Sequence, residues 1–326
     1  MTVINSTNYY FDPTYGYSLD QLLAVKAPPG PGDFQAYWQR RYHCALTIDP
    51  QPIIKITNNK RQDWHVFDLS YASTDNFTIN GWLLIPASGV VKRGFIVGHG
   101  YGGRVEPDYH LPFKDAALLF PCFRGLSRSA RPPISADPNW HVLHNIHELD
   151  RYILGGCVED VWLAVSAMLS LFPQTGGHLG YLGSSFAGGI GALALACESR
   201  VSKCHLHVPT FGHHLLRLKL PSHGSASSVQ RYYLSHDKRK TLRVLRYYDA
   251  ASAAAQISMP VHCACATFDP CVAPPGQFAI YNAVPGKKKL FILDAGHHDY
   301  ADKFLQEQKL IVDLAEFFDS PDNPGV

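Results

Sequence analysis

The chain has no excess of charge of either sign and no apolar run that approaches the length of a membrane span. Its 326 residues carry 29 basic and 27 acidic side chains, which gives a formal net charge of +2. The dense basic runs are two triplets, residues 238–240 and 287–289, and such triplets are typical of solvated helix and turn surfaces. We therefore expect neither a nucleic-acid partner nor a membrane partner.

Signals for export and for metal binding are also scarce. Residues 1–7 lack the charged start and the apolar core of a signal peptide. The eight cysteines are scattered along the chain, and no two have the C-x-x-C spacing of a metal site. We expect reduced, mostly buried thiols in a cytoplasmic protein, with no cofactor and no metal.

One stretch, residues 178–190, reads as a short apolar strand, a sharp turn and a helix that begins on glycines. Ser185 lies at the turn, with Gly183 two residues before it and Ala187 two residues after it. Small neighbours are needed there because strand and helix crowd each other around a strained serine, as in the nucleophile elbow of hydrolases. The stretch therefore predicts a catalytic serine, although the usual pattern has glycine at both flanks.

Two other interpretations of this stretch have to be weighed. Ser184 would have Leu182 and Phe186 at the flanking positions, and these side chains are too large for the apex of the turn. A serine between a strand and a helix is also a common helix cap, because its hydroxyl accepts from the first helix amides. The elbow therefore needs support from the rest of the chain.

Apolar and alternating segments predict a sheet that runs through the whole chain. The first three strands, around residues 54–56, 65–71 and 77–85, are expected to be antiparallel edge strands. Later strands alternate with helices, which predicts a mostly parallel sheet with helices on both faces, the α/β class. These later strands are expected at 93–98, 116–123, before Ser185, and at 201–208, 261–267 and 288–293.

Three segments lie outside this alternation. Residues 1–50 are expected to form an arm and one helix, and residues 210–257 a helical cap inserted into a single domain of 1–326. Residues 126–154 are expected to form a long polar loop that covers a site or an interface. In that loop His141, His144 and His147 recur every third residue. Two histidines four residues apart on a helix would suit zinc, but these lie three apart and no clear third ligand accompanies such a pair. Solvated histidines are therefore favoured over a metal site.

A glycine-rich loop follows the predicted strand 93–98. It reads His99-Gly100-Tyr101-Gly102-Gly103, at the place where hydrolases of this architecture position one amide of the oxyanion hole. Glycines after a strand also form plain turns. Together with the elbow, the loop favours a hydrolase.

Three residue types needed for acyl transfer each come just after a predicted core strand. Ser185, Asp269 and His297 follow one another in the order found in α/β-hydrolases, and sites in open parallel sheets form at these strand ends. His297 would take the serine proton, and Asp269 would orient the imidazole. The backbone N–H groups of Tyr101 and Phe186 would bind the oxyanion.

Other residues compete for these roles. His298 is displaced by one residue and is expected to point elsewhere, and His99 is expected to order the oxyanion loop. Asp294 and Asp299 lie too close to the catalytic histidine in sequence to reach it comfortably from another strand end.

These features together resemble the acetyl xylan esterase and cephalosporin C deacetylase family, carbohydrate esterase family 7. The resemblance extends over nearly the whole length of the chain. It rests on residues 33–38, 99–103, 124–125, the elbow, 247–249, 269–282 and 296–297.

The resemblance implies an α/β-hydrolase fold and a serine esterase that removes acetyl groups from small acetylated carbohydrates. It implies Ser185, Asp269 and His297 as the triad, and it makes Arg124 and Pro274 candidates for lining the substrate site. Members of the family are intracellular and often form ring-like hexamers. A homo-oligomer with a small ester substrate is therefore expected.

The chain departs from the family pattern in the elbow, at Ser184, Phe186 and Ala187, and also at Leu126, Ala273 and His298. Phe186 replaces a glutamine beside the serine, and we expect it to narrow the acyl pocket and favour acetate over butyrate. A short-acyl carboxylesterase acting on non-carbohydrate esters stays open as an alternative. Two further alternatives are a non-catalytic sugar-binding member of the fold and a metal-dependent hydrolase that uses the histidines around His141.

Overall fold

The computed structural model describes residues 9–321. The expectation of a missing signal peptide, and the first eight residues of the predicted arm, lie outside the described residues. In the described part, nine strands form one sheet. They are β1 (Ile53–Lys60), β2 (Trp64–Ala72), β3 (Thr78–Pro86), β4 (Arg93–Gly98), β5 (Ala116–Pro121), β6 (Leu179–Ser184), β7 (Lys203–His207), β8 (Val261–Ala266) and β9 (Lys288–Leu293).

The sheet combines an antiparallel edge with a parallel centre. Its strand order is β1-β2-β3-β5-β4-β6-β7-β8-β9. The pairs β1–β2, β2–β3 and β3–β5 are antiparallel, and every later pair is parallel. This arrangement confirms the predicted antiparallel edge and mostly parallel sheet.

Helices cover both faces of this sheet. The described helices are α1 (Leu19–Leu23), α2 (Phe34–Leu46), α3 (Pro138–His141), α4 (Ile153–Leu171), α5 (Phe186–Leu195), α6 (His214–Arg217), α7 (Ser225–Ser235), α8 (Lys238–Tyr247), α9 (Ala250–Ala254), α10 (Pro274–Ala283) and α11 (Lys303–Asp319). The core on one face includes α2, α4, α5, α9 and α10. On the other face, α11 buries Leu310, Leu314, Phe317 and Phe318.

Helix α4 is long and apolar enough to cross a membrane by length and composition, contrary to the expectation that no segment is. In the fold, 83% of the apolar stretch of this helix is buried inside the protein. Extensive burial of this kind is typical of the central helix of a globular core.

The predicted loop 126–154 is shorter than expected. It contains the short helix α3, and α4 already begins at Ile153 because the apolar stripe of that helix extends one turn towards the N-terminus. The predicted cap segment, 210–257, contains α6 to α9. Its division from the rest of the domain stays a prediction.

Two of the segments on which the family resemblance rests contact each other. On α2, the Trp38 indole N–H donates to the Tyr247 carbonyl at 2.8 Å, and the hydroxyls of Tyr37 and Tyr248 lie 2.9 Å apart. Asp249 then caps α9 by accepting the amides of residues 251 and 252. These residues serve packing, at a distance in sequence of about 210 residues.

Candidate active site

Ser185 lies at the sharp turn between β6 and α5. Its φ of 51° and ψ of −102° fall in a region that residues with a side chain rarely adopt, so the backbone is strained. Its N–H donates to the His207 carbonyl at 2.8 Å, and its carbonyl accepts from the Thr210 N–H at 3.1 Å. These bonds hold the strained turn, which has the strand–turn–helix geometry that the sequence predicts.

The space around the turn explains why alanine replaces the usual glycine. A Cβ on Gly183 would lie 2.4 Å from the Ala187 carbonyl oxygen, so glycine is required at that flank. At the other flank, the methyl of Ala187 faces Gly98 at the end of β4. A Cβ on Gly98 would lie 2.5 Å from that methyl. Ala187 is tolerated because the residue opposite it has no side chain.

Ser185, His297 and Asp269 form one hydrogen-bonded chain. Ser185 Oγ lies 2.8 Å from His297 Nε2, and His297 Nδ1 lies 2.8 Å from Asp269 Oδ2. Because a carboxylate only accepts hydrogen bonds, Nδ1 carries the imidazole proton and donates a hydrogen bond to Asp269. In the neutral ring Nε2 is then unprotonated and accepts the hydroxyl hydrogen of Ser185. This is the arrangement in which the imidazole can act as a base towards the serine.

The charge of Asp269 controls the basicity of His297. Burial lowers the pKa of His297, but the negative charge of Asp269 and the hydrogen bond to it outweigh burial, so the pKa of His297 is raised. The His297 side chain keeps 27% of its surface exposed, whereas Asp269 is fully buried. A substrate can therefore reach the imidazole but not the carboxylate.

Four hydrogen bonds hold the carboxylate of Asp269. Its Oδ1 accepts the backbone N–H groups of Cys271 and Val272, both at 2.9 Å. Its Oδ2 accepts from the catalytic-site imidazole and from Gln277 Nε2 at 3.0 Å. Gln277 is itself fixed, because its Nε2 also donates to the Val272 carbonyl and its Oε1 accepts the Ala266 N–H at 2.8 Å. Two donors aimed at Oδ2 hold this oxygen towards the imidazole.

Sequence reasoning missed Gln277. It lies in the stretch 269–282 that carries the family resemblance, but a glutamine on a helix gives no sequence signal of contact with Asp269. In the structure it is fully buried on α10, three residues into a helix that begins with two prolines.

The glycine-rich loop after β4 lies against the turn at Ser185. His99 Nδ1 donates to the Gly100 carbonyl at 2.7 Å, and its Nε2 accepts the Phe123 N–H at 3.2 Å. Burial lowers the pKa of His99 to about 4, so the ring stays neutral. Because the carbonyl of Gly100 and the N–H of Tyr101 belong to one planar peptide, fixing the carbonyl also fixes the opposite direction of the N–H.

The backbone N–H groups of Tyr101 and Phe186 are the two that the sequence predicts for an oxyanion hole. Within residues 9–321, neither N–H donates to another protein group. Phe186 is the first residue of α5, where helix N–H groups have no partner in the helix and the helix dipole favours negative charge. The loop is close to the serine, since a Cβ on Gly100 would lie 3.8 Å from the Ser185 Cβ.

Arg124 does not line the site, which corrects the expectation. Its side chain is 3% exposed, and its guanidinium donates to Asp160 at 2.8 Å and to three residues of the 73–75 turn. An arginine beside a buried carboxylate is held in the core by charge pairing. Its role in this structure is to join β5 to α4.

Two further expectations about the lining are also wrong. Pro274 is buried at the start of α10, whereas the preceding Cys271 and Val272 line the cleft. The ring of Phe186 is fully buried away from the cleft and does not narrow it. Five rings surround it, those of His99, Tyr101, Phe123, His141 and Phe211.

His141 is not solvated, as the sequence suggested, but fully buried. Its Nε2 donates to the Arg124 carbonyl at 2.9 Å, and its Nδ1 accepts from the Tyr101 hydroxyl at 3.1 Å. It therefore joins the 126–154 segment to the oxyanion loop. In the described part of the chain, no group of three or more His, Cys, Asp or Glu side chains could hold a metal ion.

The rival histidine His298 also has a partner of its own. Its Nδ1 lies 2.9 Å from the hydroxyl of Tyr9 in the N-terminal arm. The rival acid Asp299 forms an exposed ion pair with Lys303 at 2.7 Å. Neither of these contacts involves Ser185.

The cleft at Ser185 has a volume of about 410 Å³. The oxyanion loop forms one wall, and Cys271 and Val272 form another. Pro138 of α3, residues 223 and 224, and Ser225 at the start of α7 contribute to the rim. A pocket of this size suits a small molecule.

Comparison with known proteins decides the family. A family model described as acetyl xylan esterase (AXE1) matches residues 15–314. The chain belongs to the acetyl xylan esterase family. As a member of this family it is a carboxylic ester hydrolase.

Solved structures agree with this fold. An acetyl xylan esterase from Paenibacillus sp. R4 superposes with a TM-score of 0.80 at 18% identity, covering 91% of this chain and 99% of that one. Acetyl xylan esterase 1 from Thermoanaerobacterium sp. JW/SL YS485 gives 0.77 at 19% identity, covering 93% and 99%. An acylaminoacyl peptidase from Pyrococcus horikoshii gives 0.63 at 16% identity, covering 82% of this chain and 44% of that one. The fold is the α/β-hydrolase fold that the family resemblance implied.

Proposed function

We propose that this family member removes acetyl groups from small acetylated carbohydrates by a serine acyl-enzyme mechanism. The observation that carries the proposal is the hydrogen-bonded chain from Ser185 through His297 to Asp269, with both distances at 2.8 Å. Membership of the acetyl xylan esterase family supports the acetate ester as the bond that is cleaved.

Acylation begins when Ser185 Oγ attacks the acetyl carbonyl carbon. His297 Nε2 takes the serine proton as the C–O bond forms. The carbonyl oxygen becomes an oxyanion, and the N–H groups of Tyr101 and Phe186 donate to it. The C–O bond to the sugar then breaks, His297 returns the proton to the leaving sugar oxygen, and acetyl-Ser185 remains.

Deacylation repeats these steps with water as the nucleophile. His297 takes a proton from water as its oxygen attacks the acetyl-enzyme. The second oxyanion collapses, acetate leaves, and Ser185 Oγ regains its proton from the imidazole. Asp269 stabilises the imidazolium in both stages and keeps the proton on Nδ1. Loss of one oxyanion donor raises the barrier by roughly 2.7–4 kcal/mol in comparable sites.

The test compares Ser185→Ala with the adjacent Ser184→Ala, which alters the other serine at the cleft. Both are assayed on p-nitrophenyl acetate and on acetylated xylo-oligosaccharides. We expect Ser185→Ala to lose both activities by more than about 10³-fold, and Ser184→Ala to retain them. If Ser185→Ala loses p-nitrophenyl acetate cleavage but the wild-type enzyme does not act on the sugar, the triad stands. The protein is then a short-acyl carboxylesterase that acts on other esters. Unchanged activity in Ser185→Ala would refute the triad.

A cytoplasmic location and a homo-oligomer are part of the proposal. All eight cysteines are free thiols in the structure, which supports a reducing compartment. The hexamer is proposed on family resemblance alone. Sedimentation equilibrium would measure it, and a monomer at micromolar concentration would contradict it.

A further inference from the structure

A second concave surface lies beside the active-site cleft, between α3 and α7. We call it the Trp140 groove, and it has a volume of about 430 Å³. Trp140 is 66% exposed and forms part of its wall. The other four tryptophans, Trp38, Trp64, Trp82 and Trp162, are each at most 8% exposed. The groove therefore presents the chain's one exposed indole to solvent.

The groove combines flat aromatic surfaces with polar side chains. On α7 and just after it, the rings of Tyr232 and His236 stack at 3.9 Å with an angle of 7° between their planes. Asp137, Asn139 and Arg231 provide hydrogen-bonding groups in the same groove. A pyranose ring has apolar C–H faces and a rim of hydroxyls, so it matches a surface that offers both flat rings and polar groups.

The Trp140 groove adjoins the cleft. On α3, Pro138 lines the cleft and the next residue, Asn139, lines the groove. On α7, Ser225 lines the cleft and Ser228 lines the groove, about 4.5 Å further along the helix axis. The Ser228 hydroxyl donates to Asn139 Oδ1 at 3.1 Å and joins the two helices. An extended ligand bound in the cleft would therefore have to cross only this short wall to reach the groove.

We propose that the Trp140 groove binds a sugar ring of an oligosaccharide whose acetylated residue lies at Ser185. The proposal rests on the proposed function and adds to it a binding site, outside the cleft, for a second sugar ring of the substrate. Trp140 would stack on the face of the ring, and Asp137, Asn139 and Arg231 would bind its hydroxyls. The groove is then a specificity site, separate from the groups that cleave the ester.

Binding can be measured without catalysis. Because Trp140 is the exposed tryptophan, acrylamide quenching of fluorescence in Ser185→Ala reports mainly on its environment. We expect non-acetylated xylotetraose to reduce the quenching constant about twofold, and Trp140→Phe to abolish that change. A quenching constant that the sugar does not change would refute sugar binding in the groove. If Trp140 is protected from acrylamide without sugar, and the protection grows with protein concentration, a second copy of the chain covers the groove. That result would refute sugar binding there as well.

Kinetics give an independent test. We compare Trp140→Ala on α3 with Leu234→Ala, an exposed apolar residue of α7 that does not line the groove. The ratio of kcat/KM on acetylated xylotetraose to kcat/KM on p-nitrophenyl acetate is expected to fall about tenfold in Trp140→Ala, and to be unchanged in Leu234→Ala. An unchanged ratio in Trp140→Ala would refute the proposal. Damage to the catalytic site at Ser185 would instead abolish both activities, so it is distinguishable from loss of sugar binding in the groove.

Discussion

The contact between Gly98 and Ala187 makes a quantitative prediction about the elbow. In Gly98→Ala the new methyl would lie 2.5 Å from the Ala187 methyl, about 0.9 Å inside ordinary van der Waals contact at 3.4 Å. Neither methyl can rotate away, because a Cβ is fixed by its backbone. The Tyr181 hydroxyl and the Phe123 ring would also lie at 3.2 and 3.3 Å from the new Cβ. The strand and the helix must therefore move apart.

That movement affects both stability and catalysis. Overpacking of a core by one methyl costs about 1–3 kcal/mol of unfolding free energy. Because Ala187 lies two residues after Ser185, relief of the contact also displaces the serine. A misplacement of about 1 Å costs on the order of 100-fold in rate. We expect Gly98→Ala to lose about 2 kcal/mol and 10- to 100-fold in kcat/KM on p-nitrophenyl acetate.

The matched variant is Ala187→Gly, which removes the opposing methyl. Alone it should cost about 1 kcal/mol, since glycine destabilises a helix. Combined with Gly98→Ala it should restore part of the stability and most of the activity, with a coupling energy of about 1–2 kcal/mol in urea unfolding. Rescue is partial because Tyr181 and Phe123 stay close. Additive unfolding free energies, or a double variant as inactive as Gly98→Ala, would refute the steric reasoning.

Two further predictions concern the base and its support. Protonated His297 cannot accept the serine proton, so kcat/KM falls as the pH decreases through the pKa of His297. Burial lowers that pKa, and the charge of Asp269 together with its hydrogen bond to the ring raises it by more. Asp269→Asn should therefore move the acid limb of the pH profile to lower pH and reduce the rate on the order of 10⁴-fold; an unmoved limb would contradict this assignment. Gln277→Leu removes one donor to Asp269 and should lower kcat about tenfold with KM unchanged, given about 1–3 kcal/mol for a buried group left unpaired. The control is Asn282→Leu, which loses two side-chain hydrogen bonds on the same helix, and equal kcat losses in both variants would count against a positioning role.

The sequence by itself determined the order of the secondary structure and the strand ends that carry chemistry. All nine strands were predicted near their observed places, because apolar runs and alternation reflect burial on the faces of a sheet. The placement of Ser185, Asp269 and His297 after strands then implied that they meet, since the ends of parallel strands lie at one edge. Family membership followed from motifs spread along the chain.

Contacts between side chains on different elements were decided only by the tertiary structure. No local pattern shows that Gln277 donates to Asp269, or that Arg124 is neutralised by Asp160 in the core rather than exposed to substrate. The same holds for His141, whose periodic neighbours suggested a solvated loop but whose ring is buried against the oxyanion loop. Periodicity reports which face of an element is buried, whereas the partner that a side chain meets on another element depends on how the elements pack together.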